Sequence, residues 1–316
     1  MTRPDRISAR VRSVETLSPT LRRVVLEPTE ASLFPTGSAG AHIVLEMRHD
    51  EHIWRNAYSL VSSPEHRRNY TIIVRRVAAS RGGSAYIHDH LQPGTLLSVG
   101  MPSNLFPIQV SARKHLMVAG GIGVTPFLSY LPLLAAAGSP YALHLCTRAE
   151  DAEAFRRLLA PWPQSHLYIS ASQGGLDLNA LFETQPLGTH LYLCGPEQFM
   201  AEVVASALAL GWPEARLHQE HFIGAAPGAP FRAVLARSGM TIEIASDQGL
   251  LDAIEAAGID APCLCRAGAC GECRLTLLDG VAEHRDHFLT EDERADGRSI
   301  MPCVSRAKSA VLVLDI

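Results

Sequence analysis

Five of the chain's seven cysteines crowd into its last fifth, and their spacing constrains that part more sharply than any other feature. Cys265, Cys270 and Cys273 stand as C-x4-C-x2-C on one short stretch, and Cys303 lies far downstream. The gaps hold Ala267, Gly268, Ala269 and Gly271. A loop of such small residues can bring its backbone close to a bound group and aim N–H groups at it. The fold must then return a distant segment to supply a fourth thiolate. An odd cysteine count argues against a disulfide framework and for metal or redox use.

C-x4-C-x2-C with a remote fourth cysteine is the ligand spacing of a plant-type [2Fe–2S] cluster. A structural zinc site favours paired C-x2-C knuckles, and only one close pair occurs here. Buried, unliganded thiols are the other plain reading. A Rieske centre needs two His with two Cys, and no cysteine here has a His two or three places after it. Cys263 fits the pattern only at a spacing that breaks it, so it reads as a packing residue.

The chain has 316 residues, 47% of them apolar, and a formal net charge of −4. It can bury real cores and falls outside the disordered class. No basic block points to nucleic acid or to an anionic membrane. No apolar run reaches the length of a membrane span, and the start has no apolar h-region, so a cytoplasmic location is expected. The pattern predicts three domains. Residues 1–110 show short strands (Arg10–Val14, Leu21–Leu26, His42–Glu46, Ala57–Leu60, Tyr70–Arg75, Leu96–Gly100), the pattern of a small antiparallel barrel. Residues 111–225 alternate strands (Lys114–Ala119, Tyr141–Cys146, His166–Ser170, His190–Cys194) with helices (Ala152–Leu159, Phe199–Leu210), which implies a parallel sheet. A Gly/Pro stretch, 224–230, reads as a linker to a third domain, 226–316, with a hairpin turning at Arg237-Ser238-Gly239.

Gly120-Gly121-Ile122-Gly123-Val124-Thr125-Pro126 follows one strand and opens a helix. Its glycines would admit a pyrophosphate to the backbone and to the free N–H groups of a helix start, with Thr125 as cap and Pro126 in the first helical position. A second turn, Cys194-Gly195-Pro196, ends another strand, where open parallel sheets bind ligands. Ordinary tight turns are the alternative. In the first domain, Arg55-Asn56-Ala57-Tyr58-Ser59 offers a cation, an aromatic ring and a hydroxyl on one strand. Alternation separates Ala57 and Ser59 from Asn56 and Tyr58. Ser80-Arg81-Gly82-Gly83-Ser84 precedes a helical stretch, Ala85–Leu91, and Ser84 suits an N-cap beside a phosphate cradle. Alone, these two segments read equally well as a plain strand and a capped helix.

Taken together the motifs resemble the phthalate dioxygenase reductase family over essentially the whole chain. That resemblance implies a multidomain protein: an FMN-binding β-barrel, an α/β NADH domain, and a β-grasp ferredoxin domain of α+β type holding a plant-type [2Fe–2S] cluster. It implies that Tyr58, Ser59, Gly82, Gly83 and Ser84 bind FMN, with Arg55, Asn56, Ala57, Val74 and Arg76 around them. It assigns Gly121, Gly123, Thr125, Cys194, Gly195 and Pro196 to NADH, and Arg148 to the region of the adenosine ribose, where Glu150 would repel a 2′-phosphate. Phe222, in His218-Gln219-Glu220-His221-Phe222, is the aromatic residue expected near the flavin. The metal ligands are Cys265, Cys270, Cys273 and Cys303.

One position departs from the family's pattern. The family has one residue between Arg and Tyr; here Asn56 occupies the Arg position and Arg55 is displaced, which on a strand turns its side chain to the opposite face. Arg76 or Arg81 then becomes the alternative contact for the FMN phosphate. The Arg-Asn-Ala-Tyr-Ser form is more similar to reductases that serve carnitine- or methylamine-type Rieske monooxygenases. The implied activity is NADH-dependent electron transfer through flavin and cluster to a separate Rieske-type oxygenase, by a monomer, with no protein acid–base residue required for hydride transfer. The rival expectations are a cluster-based redox sensor and a self-sufficient flavin oxidoreductase.

Overall fold

Leu21, Val24 and Leu26 are wholly buried, the last two at a strand's spacing of two, and they anchor the first sheet. The computed structural model describes residues 6–50, 52–77, 82–170, 175–222 and 226–316. Six strands, β1 (Arg6–Thr16), β2 (Leu21–Pro28), β3 (His42–His49), β4 (His52–Ser59), β5 (Tyr70–Arg75) and β6 (Leu96–Gly100), form a sheet in the order β4-β3-β6-β1-β2-β5. The recorded pairings are antiparallel, as the barrel reading requires. A short helix, α1 (Gly83–Asp89), lies between β5 and β6 in sequence. Strand β4 begins at His52, earlier than Ala57, so it carries Arg55 and Asn56 as strand residues.

The second sheet is parallel throughout: β7 (Lys114–Gly120), β8 (Tyr141–Thr147), β9 (Ser165–Ile169), β10 (Thr189–Cys194) and β11 (Leu217–Glu220), in the order β11-β10-β7-β8-β9. Its strands are apolar on both sides because helices cover both faces. Met117, Leu143, Leu145 and Tyr192 pack with Phe127, Tyr130 and Phe155 from α2 (Thr125–Ala136) and α3 (Ala149–Leu159). Leu116, Val118, Leu191 and Leu193 pack with Phe182 of α4 (Leu178–Glu183) and with Met200 and Val203 of α5 (Glu197–Ala209). Emptying one such site, as in Leu145→Ala, costs about 2–5 kcal/mol. Both β11 and α4 escaped the sequence pattern, β11 being four mostly polar residues and α4 only six residues long.

The cysteine-bearing part has its own core. Strands β12 (Phe231–Leu235), β13 (Met240–Ile244), β14 (Leu275–Asp279), β16 (Ser299–Ile300) and β18 (Val311–Leu314) form a mixed sheet in the order β13-β12-β18-β14-β16. Its centre is the parallel pair β12 and β18, and its other pairs are antiparallel. A two-stranded ribbon pairs β15 (Ala282–Glu283) with β17 (Arg306–Ala307). Helix α6 (Leu250–Ala256) lays Leu250, Leu251, Ala253 and Ile254 on this core. A second helix, α7 (Glu291–Asp296), is started by a capping box between Thr290 and Glu293. Arg306 is 1% exposed; it donates to the carbonyls of Gln248, Ala229 and Ala245 and lies over the Phe231 ring. This mixed sheet and helix are the β-grasp arrangement expected of the third domain.

By packing, the chain forms two compact units. One comprises Met1–Met47, Tyr58–Arg76 and Ser84–Phe222, and the other Arg48–Ala57, Val77–Gly83 and Ile223–Ile316. Among the described residues no helix is long and apolar enough to cross a membrane. The start of the expected linker, 224–225, lies outside the described residues.

Candidate functional site

The cluster loop runs from Cys265 to Cys273, and Cys303 returns to it after β16. Cys265, Cys273 and Cys303 are buried, and Cys270 is half-buried. The sulfurs fall into two pairs. Cys273 Sγ and Cys303 Sγ are 3.2 Å apart, and the Cys270 thiol hydrogen-bonds the Cys265 sulfur. That bond, with the N–H groups of Ala267, Ala269 and Cys270, pulls the Cys265 thiol down to about 5 against the effect of burial. Cys303 likewise lowers Cys273, while Cys270 and Cys303, as the donors, are raised. Among the described residues no three His, Cys, Asp or Glu side chains close around a single ion. Two pairs of sulfurs are what two irons bridged by sulfide would need. Gly271 has φ +80° and lies against the Phe288 ring, so a side chain there would be strained and would displace the ring. Cys263 faces elsewhere: its sulfur is 3.4 Å from Arg266 Nη2 and 3.7 Å from Glu255 Oε1.

The two expected nucleotide turns meet backbone to backbone. A Cβ on Gly123 would fall on the Cys194 carbonyl and 2.7 Å from Gly195 N, and one on Gly195 would lie 2.9 Å from Gly120 N. Only glycine permits this approach. It occurs at the carboxyl ends of β7 and β10, where the chain leaves β7 toward β8 on one side and β10 lies on the other. That is the switch point at which open parallel sheets hold ligands. Gly121 has φ +54° and faces the Arg75 guanidinium.

Thr125 does not cap its helix. A 3-10 turn, Gly121–Val124, runs straight into α2, so Val124 holds the cap position and Pro126 the second helical one. The Thr125 hydroxyl donates instead to the Ile122 carbonyl at 2.9 Å, which fixes the glycine turn from inside. Pro196 is exposed and caps α5. Arg148 is exposed at the cap of α3. Glu150, in the next turn, pairs with Arg75 at 3.5 Å.

The flavin candidates divide between the units: Arg55, Asn56, Ala57, Gly82 and Gly83 belong to the second, and Tyr58, Ser59, Val74, Arg76 and Ser84 to the first. Ser59 is 6% exposed, and its hydroxyl has no hydrogen-bond partner among the described residues. A buried orphan of this kind suits a polar ligand atom. Gly82 has φ +104° and approaches the Trp54 indole. Ser84 is buried at the second position of α1, whose first residue is Gly83, so the helix starts earlier than a Ser84 cap would place it. Val74 offers its carbonyl to His88 Nε2 at 3.1 Å. Arg76 is held by both carboxylate oxygens of Asp89. Arg81 lies outside the described residues. Arg55 makes a 2.8 Å ion pair with Glu255. Phe222 is exposed in the first unit.

Two residues near the expected nucleotide turns had no clear sequence signal. Glu220 pairs in register with Cys194, is half-buried, and has one buried carboxylate oxygen without a hydrogen-bond partner among the described residues. Burial pushes it up to about 8, so it holds a proton at neutral pH; burial, then Glu220, raise the Cys194 thiol well above its usual range. Asp151, beside Glu150, accepts from Ser18 Oγ at 2.5 Å and Thr20 Oγ1 at 2.7 Å, and Arg75 is 3.9 Å away. The β1–β2 turn is thereby fastened to α3.

Residues 102–217 match the family described as dimethylamine monooxygenase subunit DmmA-like, N-terminal domain, and residues 234–308 match the 2Fe-2S iron-sulfur cluster binding domain. The chain is 45% identical over 314 residues to the heme-dependent oxidative N-demethylase beta subunit of Ectopseudomonas mendocina, covering 98% of this chain and 99% of that one. It is 38% identical over 310 residues to the carnitine monooxygenase reductase subunit of Acinetobacter baumannii, covering 97% and 96%. Its structure is similar to that of phthalate dioxygenase reductase, described as a modular structure for electron transfer from pyridine nucleotides to [2Fe-2S], with a TM-score of 0.88, 32% identity and 98% of each chain covered.

Proposed function

The chain belongs to the phthalate dioxygenase reductase family, and on that premise we propose that it carries electrons from NADH through FMN to a plant-type [2Fe–2S] cluster and on to a separate terminal oxygenase. The observation that carries this reading is the closure of the two glycine turns at the sheet's switch point, in a chain that also presents four cysteines as two sulfur pairs. The proposed domains are 1–110 for FMN, 111–225 for NADH and 226–316 for the cluster.

Bound flavin takes an electron pair as hydride and releases electrons singly, which lets it stand between NADH and a one-electron cluster. The residues of this chain bind and orient. The N–H groups at Gly121–Thr125 and the turn Cys194–Pro196 receive the nucleotide, and Glu150 near the adenosine ribose favours the form without a 2′-phosphate. Ser59 supplies a hydrogen bond to the flavin, Tyr58 and Phe222 supply ring contacts, and Gly82–Ser84 supply N–H groups to its phosphate. Cys265, Cys270, Cys273 and Cys303 would hold the cluster, which would supply a one-electron acceptor. Glu220 and the Cys194 thiol, both raised by burial, add no negative charge beside the Cys194–Pro196 turn. The protein acts as a cytoplasmic monomer.

The partner expected from the sequence is a Rieske-type monooxygenase of the carnitine or methylamine kind. A second reading, a haem-dependent N-demethylase, is favoured by the 45% identity to the beta subunit of such a system. Both would act on nitrogen compounds that carry methyl groups. The test is full-chain kinetics. NADH should bleach the flavin and reduce both ferricyanide and cytochrome c, and Cys303→Ser should keep ferricyanide reduction and lose most cytochrome c reduction. Undiminished cytochrome c reduction in that variant would refute the electron order. Substrate-dependent NADH oxidation, with each class of purified oxygenase and its own substrate in turn, decides between the partners.

A further inference from the structure

Arg55 is displaced by one residue from where the family pattern places a flavin-phosphate arginine, and the structure gives the displaced side chain an occupation. Its guanidinium is 2.8 Å from Glu255 Oε2, with the two side chains 16% and 5% exposed. The other oxygen of the same carboxylate receives Arg266 Nη2. Arg266 directly follows the cluster-loop residue Cys265, is 6% exposed, and also pairs with Asp252 at 3.0 Å. Its backbone is left-handed, with φ +54°. A non-glycine residue pays a conformational cost there and holds it only when its surroundings over-determine it. Glu255 and Asp252 lie three apart on α6 and so share one face, which is what draws the Arg266 side chain inward.

These residues all belong to the second unit, which gathers Arg48–Ala57 and Val77–Gly83 with the cysteine-bearing segment. Each oxygen of one buried carboxylate is therefore committed to a different cation, one on the strand β4 and one on the cluster loop. A buried carboxylate of this kind is stabilised only by such pairing, and losing one partner is strongly destabilising, so the three side chains hold one another in place.

We propose that Glu255 is a latch that positions β4 against the cluster loop, with Arg55 recruited from cofactor binding to serve it. The proposal rests on the reading of the chain as an NADH–flavin–cluster reductase and adds a positioning residue to it. In the full holoprotein, stopped-flow absorbance separates flavin reduction by NADH from the later reduction of the cluster. Glu255→Gln should retain flavin, cluster spectrum and the rate of flavin reduction, and slow cluster reduction by about tenfold, within the coupling range of contacting pairs. Arg55→Met should slow cluster reduction to the same degree, Arg55→Lys should recover part of the rate, and the double variant should be no worse than either single one.

Additive losses, or cluster reduction at the unmodified rate in either single variant, would overturn the latch. So would loss of flavin from Arg55→Met, which would return Arg55 to the phosphate. Should Glu255→Gln shed its cluster, the comparison of Arg55→Met with Arg55→Lys decides alone, since both leave Arg266 with Asp252 and Glu255. Failure of NADH to reduce the flavin of the unmodified protein would instead sink the reductase reading.

Discussion

Replacing Gly123 by alanine would set a methyl group against the peptide that joins Cys194 to Gly195. The new carbon would lie 2.7 Å from Gly195 N and closer still to the Cys194 carbonyl, where ordinary contact begins at 3.4 Å. The obstacle is backbone at a strand end, so it cannot swing aside as a side chain would. The two turns must separate by about 1 Å. Overpacking of this kind costs about 1–3 kcal/mol. If the strain falls on the nucleotide cleft, the KM for NADH rises by about five- to 150-fold at 1.4 kcal/mol per factor of ten. If it falls on folding, Tm drops by several degrees instead. The assay is NADH-dependent ferricyanide reduction together with a thermal melt. Gly175→Ala is the control, because no atom lies within 4 Å of its Cβ position. A Gly123→Ala protein with unmodified KM and unmodified Tm would refute the meeting of the turns.

Heat-released flavin should run as FMN, one per chain, and FAD as the sole flavin would move the phosphate assignment away from Gly82–Ser84. Catalytic efficiency should be higher with NADH than with NADPH; the reverse would set Arg148, not Glu150, as the residue that reads the ribose. Cys265→Ser should lose the cluster's visible and paramagnetic signals while Cys263→Ser keeps them, and the opposite result would shift the loop register. Glu220, pushed up to about 8, keeps a proton in the folded chain that the unfolded chain releases above the ordinary carboxylate range. Stability should therefore fall as pH rises through that window up to about 8. Glu220→Gln should flatten this fall in melts at about pH 5 and about pH 8, and an equal loss in both proteins would show that Glu220 is not buried.

The sequence pattern placed the long, apolar elements closely. Strands β5 and β6 fall where alternation put them, and β7, β8 and β10 differ by a residue at an end. Buried strands of a parallel sheet are marked by their continuous apolar runs, and glycine turns by residues that nothing else replaces. What stayed hidden was short or polar. Strand β11 has four residues, Leu217–Glu220, and takes its structure from pairing with β10, so its register, and with it the burial of Glu220, is a tertiary effect. Helix α7 has one apolar residue, Ala295, buries no side chain and rests on its capping box. Thr125 was legible as a helix-start residue but not as one preceded by a 3-10 turn, because glycines at Gly121 and Gly123 permit either path. The Asp151 network joins residues more than a hundred positions apart, which no local spacing can announce.

Arg55 shows where local reading stops for a physical reason. The extra residue before Tyr58 was visible as a displacement, and the strand's period of two gave its consequence, a side chain turned to the other face. What that face meets depends on Glu255, two hundred positions away. A charged side chain brought to 16% exposure requires a partner, but neither that burial nor the carboxylate that answers it follows from the displacement alone. Glu255 lies on the same face of α6 as Asp252 and was already committed to Arg266 beside the cluster loop. One inserted residue on the flavin strand is thus answered at the cluster loop. In this subgroup of reductases the insertion should accompany an acidic residue at the α6 position of Glu255, and chains with the shorter Arg-x-Tyr-Ser spacing should be free to vary there unless the cluster-loop arginine alone demands the carboxylate.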